Sequence, residues 1–154
     1  MLPPSPRLPT TTPKHWPLIS VTPIDVGFGA LVARDKDCLG RRSLARSDTA
    51  RFDRKQLVGL LPDNPGEVMP EGAQLVAVLG DVPPITPGPH PGTIGHVTSS
   101  YFGARIGRSF ALALVQNGRT RHGERVWAPL PDRTIAARIC PPVFYDPEGA
   151  RRDG

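Results

Sequence analysis

The chain has 154 residues, 38% of them hydrophobic and 6% aromatic, with 20 prolines, 16 glycines and a formal charge of +5. That length holds one domain of modest core plus tails, and the proline and glycine punctuation argues against a bundle of long helices. Residues 34–55 carry eight basic and four acidic side chains, a net +4, whereas residues 56–154 balance, which argues against an all-round basic coat for nucleic acid and for one local basic patch.

Residues 1–17 contain Pro3, Pro4, Pro6, Pro9, Pro13 and Pro17 and have no apolar centre. A disordered leader is expected there, and not a secretory signal, which needs an apolar run of about 7–15 residues. No stretch approaches the ~20 apolar residues of a membrane helix. Cys38 and Cys140 stand far apart and in no metal or redox spacing, so both are expected as free thiols in a reducing compartment, and the protein in the cytoplasm.

Residues 18–54 read as a linking segment whose ordered part starts near Leu18-Ile19-Ser20-Val21. The Gly27-Phe28-Gly29 step within it reads as a turn. A dinucleotide fingerprint would need a third glycine, a following helix and a distal acid, and none of these is present. Asp37 is positioned to cap a short helix over Cys38–Arg46, with Cys38, Leu39, Leu44 and Ala45 as a loose apolar stripe. Gly40 weakens that helix by about 1 kcal/mol relative to Ala.

From residue 55 to 147 the pattern changes to strands: Gln56–Leu61, Ala73–Leu79, Thr93–Thr98, Ser109–Gln116, Glu124–Leu130 and Thr134–Ile139. Asn117-Gly118 and Pro131-Asp132 supply turns, and the prolines of Gly80–Gly92 make that stretch a loop. Residues 148–154 form a tail. The fold class expected is mainly β: a small antiparallel β-barrel of about six strands, with a short helix and a leader before it. Leu57, Val58, Leu112, Leu114 and Ile139 are expected among its core anchors. Alternation sets Leu112 and Leu114 on one face and Ala111, Ala113 and Val115 on the other.

No catalytic set emerges. His15, His90, His96 and His122 lack ligand spacing, so no metal site is expected. His96 falls on the face opposite Val97, at the rim or in solvent. Ser99 and Ser100 lie outside any Gly-x-Ser-x-Gly context and read as strand-end hydroxyls satisfying backbone groups. Asp146 and Glu148 read as turn formers. Arg41, Arg42 and Arg46, at the centre of the basic segment, are docking candidates for an acidic surface, since clustered like charges on a merely solvated helix repel.

Several stretches, in order, resemble the aminomethyltransferase family. Asp35-Lys36-Asp37-Cys38-Leu39-Gly40-Arg41-Arg42-Ser43-Leu44 is similar to its Lys-x-Asp-Phe-Ile-Gly-Lys/Arg-x-x-Leu pattern. Gly95-His96-Val97-Thr98-Ser99-Ser100 resembles its Gly-x-Val-Thr-Ser-Gly/Ser turn, and Ser109–Val115 the strand after it. Asp53–Leu61 and the ending Pro142-Val143-Phe144-Tyr145-Asp146-Pro147-Glu148-Gly149-Ala150-Arg151 are similar to sarcosine oxidase α subunits within that family. Departures are Cys38 for an aromatic, Phe102 for Trp and Arg133 for a hairpin Gly.

The resemblance implies the last, barrel part of a three-domain folate-binding module. The carboxylate of the aminomethyl chemistry, and most contacts to tetrahydrofolate, then lie in earlier domains, while flavins and a nicotinamide nucleotide bind to other domains or subunits. The reaction implied for the full assembly is sarcosine demethylation with one-carbon transfer to tetrahydrofolate. This chain is expected to be a truncated or split product, inactive alone, and partnered by upstream folate-binding domains or other sarcosine oxidase subunits. Thr98, Ser99, Ser100 and Tyr101, expected to follow a strand into a loop, are the folate-proximal candidates. A non-enzymatic docking barrel and the C-terminal part of a glycine cleavage aminomethyltransferase are the alternatives.

Overall fold

The computed structural model describes residues 21–33, 35–80 and 92–151. The expected leader, and nearly all of the Pro-rich loop, lie outside these residues.

Six strands close into an antiparallel barrel: β1 Lys55–Pro62, β2 Gln74–Val76, β3 Thr93–Gly103, β4 Arg108–Gln116, β5 Arg125–Pro129 and β6 Thr134–Cys140, in the spatial order β1-β4-β3-β2-β5-β6. The mainly-β expectation is therefore met. The first helix-like turn spans Gly29–Leu31, and the only α-helix among the described residues, α1, is Arg41–Leu44. The expected Cys38–Arg46 helix shrinks to that one turn: Gly40 occupies the N-cap position without a side-chain hydrogen bond, so Asp37 does not cap it. A single turn with no cap and no buried residue has little to hold it longer.

Register explains the interior. Val58 and Leu60 of β1 face Ala113 and Ala111 of β4, Val97 of β3 faces Ala113, Val126 of β5 faces Ala137, and Ala128 faces Ile135. In these pairs a large side chain meets a small one across the ladder, although Leu60 also faces Ile139 of β6, and the mixture fills a narrow barrel without overpacking. All of these residues are buried and belong to one cluster with Leu75, Val115 and Ile139.

The facing expected for β4 is corrected by this register. Ala111, Ala113 and Val115 point inward at 0% exposure, and Leu112 and Leu114 lie on the opposite face, where Leu112 is half-buried and Leu114 is buried, as expected, but outside the barrel interior. Val58 and Ile139 are core residues as expected, while Leu57, like Leu112, is only half-buried on the outer face. Both faces of Ser109–Val115 are apolar, so hydrophobicity alone gave no direction.

The turns follow local chemistry. Asn117 takes the left-handed conformation (φ 54°) and leads into a short 3-10 turn, Gly118–Arg121. Between β5 and β6 the Leu130 amide donates to the Arg133 carbonyl at 2.7 Å. At Gly95 a Cβ would stand 2.3 Å from the Leu114 carbonyl oxygen, so β3 crosses β4 there only because the side chain is missing.

Candidate functional site

The four folate-proximal candidates lie inside β3, which runs on to Gly103, and not at a strand end leading into a loop. The register slips between Val97 and Ser99, with Thr98 at the bulge, a feature that re-aims side chains. The Thr98 hydroxyl donates to the Leu112 carbonyl at 3.0 Å. Ser100 faces inward: its hydroxyl accepts from the Met69 amide at 3.2 Å and donates to the Phe110 carbonyl at 3.3 Å. Ser99 and Tyr101 share the outer face with their partners Leu112 and Phe110. The structure thus brings two of the four to one surface and engages the hydroxyls of the other two in the scaffold.

That outer face carries an aromatic row invisible from strand pattern alone. Tyr101 and Phe110 have ring centroids 6.3 Å apart, and Phe110 and Phe144 4.5 Å apart. Phe144 reaches the row because the chain after β6 folds back over Gly59, where a Cβ would come within 2.8 Å of the Phe144 ring and the Cys140 sulfur. The signal available in the sequence was Gly59 itself, a glycine within an otherwise apolar strand. Partial burial pushes the Cys140 thiol pKa up, against the pull of Arg108. Cys38 and Cys140 are both free thiols. His96, on the outer face opposite Val97, has its pKa lowered by burial and then by Lys55.

The docking candidates form a second surface. Arg41, Arg42 and Arg46 are exposed on and just after α1 and make no side-chain hydrogen bond or ion pair among the described residues. Other cations of the basic segment are engaged: Arg51 pairs with Asp53, and Arg54 with Asp25. Among described residues 21–54 only Thr22 and Asp25 are buried, while Leu31 (79%), Leu39 (102%) and Phe52 (86%) stand in solvent. A groove of about 340 Å³ runs between Ile24, Val32, Cys38, Arg41 and Leu44. The described part of this segment therefore presents an apolar surface edged by cations and has no core of its own.

Asp25 ties this segment to the barrel. Its Oδ2 accepts from Arg54 Nη2 at 2.8 Å, Arg54 Nε at 3.0 Å and the Thr22 amide at 2.8 Å. The Asp25 carbonyl accepts the Leu57 amide of β1 at 2.8 Å. Burial alone would raise the Asp25 pKa, but Arg54 and Thr22 hold it below the ordinary carboxylate value. No cluster of metal-ligating side chains and no helix long and apolar enough to cross a membrane occurs among the described residues.

Residues 55–146 match the glycine cleavage T-protein C-terminal barrel domain. The chain is 44% identical over 135 residues to the sarcosine oxidase subunit alpha of Corynebacterium sp. (strain P-1), covering 88% of this chain and 14% of the relative. For the sarcosine oxidase subunit alpha of Rhizobium meliloti the figures are 38% over 135 residues, 86% and 13%. For the aminomethyltransferase of Moorella thermoacetica they are 31% over 126 residues, 81% and 31%. The crystal structure of the glycine cleavage system aminomethyltransferase T from Bartonella henselae superposes with a TM-score of 0.58 at 24% identity, over 77% of this chain and 30% of that one, a likeness of fold. The chain spans about one seventh of the length of the sarcosine oxidase subunits it matches.

Proposed function

We propose that this chain, which belongs to the glycine cleavage T-protein C-terminal barrel domain family, serves as the barrel wall of a folate-handling module of the sarcosine oxidase α-subunit type. The observation that carries the reading is the surface of residues 21–52. It is apolar and basic, has no core of its own, and is pinned to the barrel by Asp25 and Arg54. Such a segment is suited to seating the barrel against other folate-binding domains, with Arg41, Arg42 and Arg46 meeting their acidic side. Identity favours the sarcosine oxidase type, at 38–44%, over aminomethyltransferases, at 27–31%.

Tetrahydrofolate, when bound in such a module, supplies the acceptor for the one-carbon unit released from sarcosine. Of this chain's residues, Ser99 and Tyr101 fit a place beside it. Both face outward, and the exposed Tyr101 ring continues the aromatic row to which a flat ring system could stack. Thr98 and Ser100 instead fix the bulge that aims them. Flavins and a nicotinamide nucleotide belong to other domains or subunits, and the barrel alone carries no turnover.

The test uses this 154-residue chain and the part of the Corynebacterium subunit that precedes its own barrel, expressed separately. Co-purification is expected, together with loss of it in an Arg41/Arg42/Arg46→Glu variant. Sarcosine-dependent one-carbon transfer to tetrahydrofolate should need both parts. Retention of mixed-sequence RNA at physiological salt without domain association would refute the reading, as would transfer by the barrel alone.

A further inference from the structure

The stretch Pro142–Arg151, once folded back, builds a feature that the folate reading does not use. Tyr145 lies beside the β3–β4 turn. Its hydroxyl accepts hydrogen bonds from Arg105 Nη1, at the tip of that turn, at 3.2 Å, and from Arg151 Nη1 at 2.7 Å. Both guanidinium groups also stand over the Tyr145 ring, 5.9 Å and 5.5 Å from its centroid. Two cations 46 residues apart in sequence thus converge on one neutral oxygen. Neither forms an ion pair among the described residues.

The nearest acids in sequence do not neutralise them. Asp146 turns its two carboxylate oxygens to the Ala150 and Arg151 amides, each at 3.0 Å, which closes the turn that delivers Arg151. Glu148 pairs with no cation among the described residues. Like charges held this close repel unless an anion sits between them. Each guanidinium commits one nitrogen to Tyr145 and keeps further N–H groups for a planar oxygen acceptor. The phenol, accepting two bonds, still has its own proton to donate.

We propose that Arg105, Tyr145 and Arg151 form a binding site for a phosphate or carboxylate oxyanion on the outer face of the barrel. The tyrosine spaces the two guanidinium groups, and the Asp146 turn fixes the second of them.

The experiment titrates inorganic phosphate, and separately glutarate, into the 154-residue chain by calorimetry. Ionic strength is held constant with chloride, so that general screening is the same throughout. Saturable binding of at least one probe is expected, with a dissociation constant of about 1 mM or tighter. Which probe binds more tightly decides between phosphate and carboxylate. Arg105→Gln with Arg151→Gln should weaken binding at least about tenfold, and Tyr145→Phe should weaken it by less. The thermal midpoint is read with and without probe. If the arginines serve only to hold the C-terminal stretch, the double variant lowers the midpoint equally in both conditions. That equality overturns the proposal, as does the absence of saturable binding of either probe to the wild type.

Discussion

Asp25→Ala removes the acceptor on which Thr22 and Arg54 converge. The Asp25 and Arg54 side chains are 5% and 17% exposed, so the pair counts as buried, and losing one partner of a buried pair costs about 3–5 kcal/mol. Arg54 keeps its bond from Nη1 to the Asp48 carbonyl at 2.9 Å, which places the effect at the lower end, ~3 kcal/mol, or roughly a hundredfold in an opening equilibrium. Because residues 21–54 bury no apolar side chain among those described, the loss should appear as local undocking and not as unfolding of the barrel. Amide hydrogen exchange reads this directly. The Leu57 amide, which donates to the Asp25 carbonyl, should exchange roughly a hundredfold faster in the variant, while amides of β4 keep their protection. The pH dependence has a fixed sign. The folded Asp25 pKa lies below its unfolded value of about 3.9, so the stabilisation is complete above that value and is lost as pH falls through the folded pKa. Asp25→Asn should abolish this acid step. Unchanged Leu57 exchange in Asp25→Ala, or equal acceleration throughout β4, would refute the picture of a clamp between separable parts.

Ile139→Ala, in the barrel interior at 1% exposure, should cost about 2–5 kcal/mol in urea unfolding, whereas Leu112→Ala, on the outer face, should cost less than half as much. Gly95→Ala places a methyl against the Leu114 carbonyl and should lower stability by about 1–3 kcal/mol, seen as a lower urea midpoint at unchanged slope. For His96, whose pKa is depressed by burial and then by Lys55, the folded state binds the proton less readily than the unfolded one. Stability should therefore fall as pH drops through its unfolded value near ~6.5, and His96→Gln should flatten that slope.

The strands were legible because each apolar run ends in proline, glycine or asparagine, and four of the six appear within one residue of their expected bounds, while β3 runs five residues past its expected end. Two things were not legible. The second strand, expected over Ala73–Leu79, holds ladder pairing only across Gln74–Val76, because its register shifts between Leu75 and Val76 and a single pair, Val76 with Trp127, joins it to β5. The sequence carries no mark of that shift. The facing of β4 was lost for a different reason: leucines and alanines alternate, and transfer energy favours burying the leucines. A narrow barrel reverses the preference. Its inner positions already receive Val58, Leu60 and Val97 from the flanking strands, so the β4 positions facing them are alanines, Ala113 and Ala111, while Val115 fits opposite Gly95. The β3 bulge at Thr98 was hidden likewise, and it separates Ser99 and Tyr101 from the inward Ser100.

The same packing bears on where chemistry can reside. An interior in which buried Val, Leu and Ile pack against one another and against the alanines of β4, β5 and β6 is filled by its own side chains, so the barrel is a rigid body and not a container. What it offers to a ligand or a partner must be presented outside. The outer surface is built accordingly: the glycine at position 59 makes room for Phe144, Phe144 extends the row of Phe110 and Tyr101, and the chain beyond it carries Tyr145 and Arg151 to Arg105. On the segment before β1, Asp25 and Arg54 hold in place a surface whose arginines and apolar side chains make few contacts with the barrel itself. Rigid support for outward groups, with Arg41, Arg42 and Arg46 making no ion pair among the described residues, is the physical arrangement that the proposed docking role calls for.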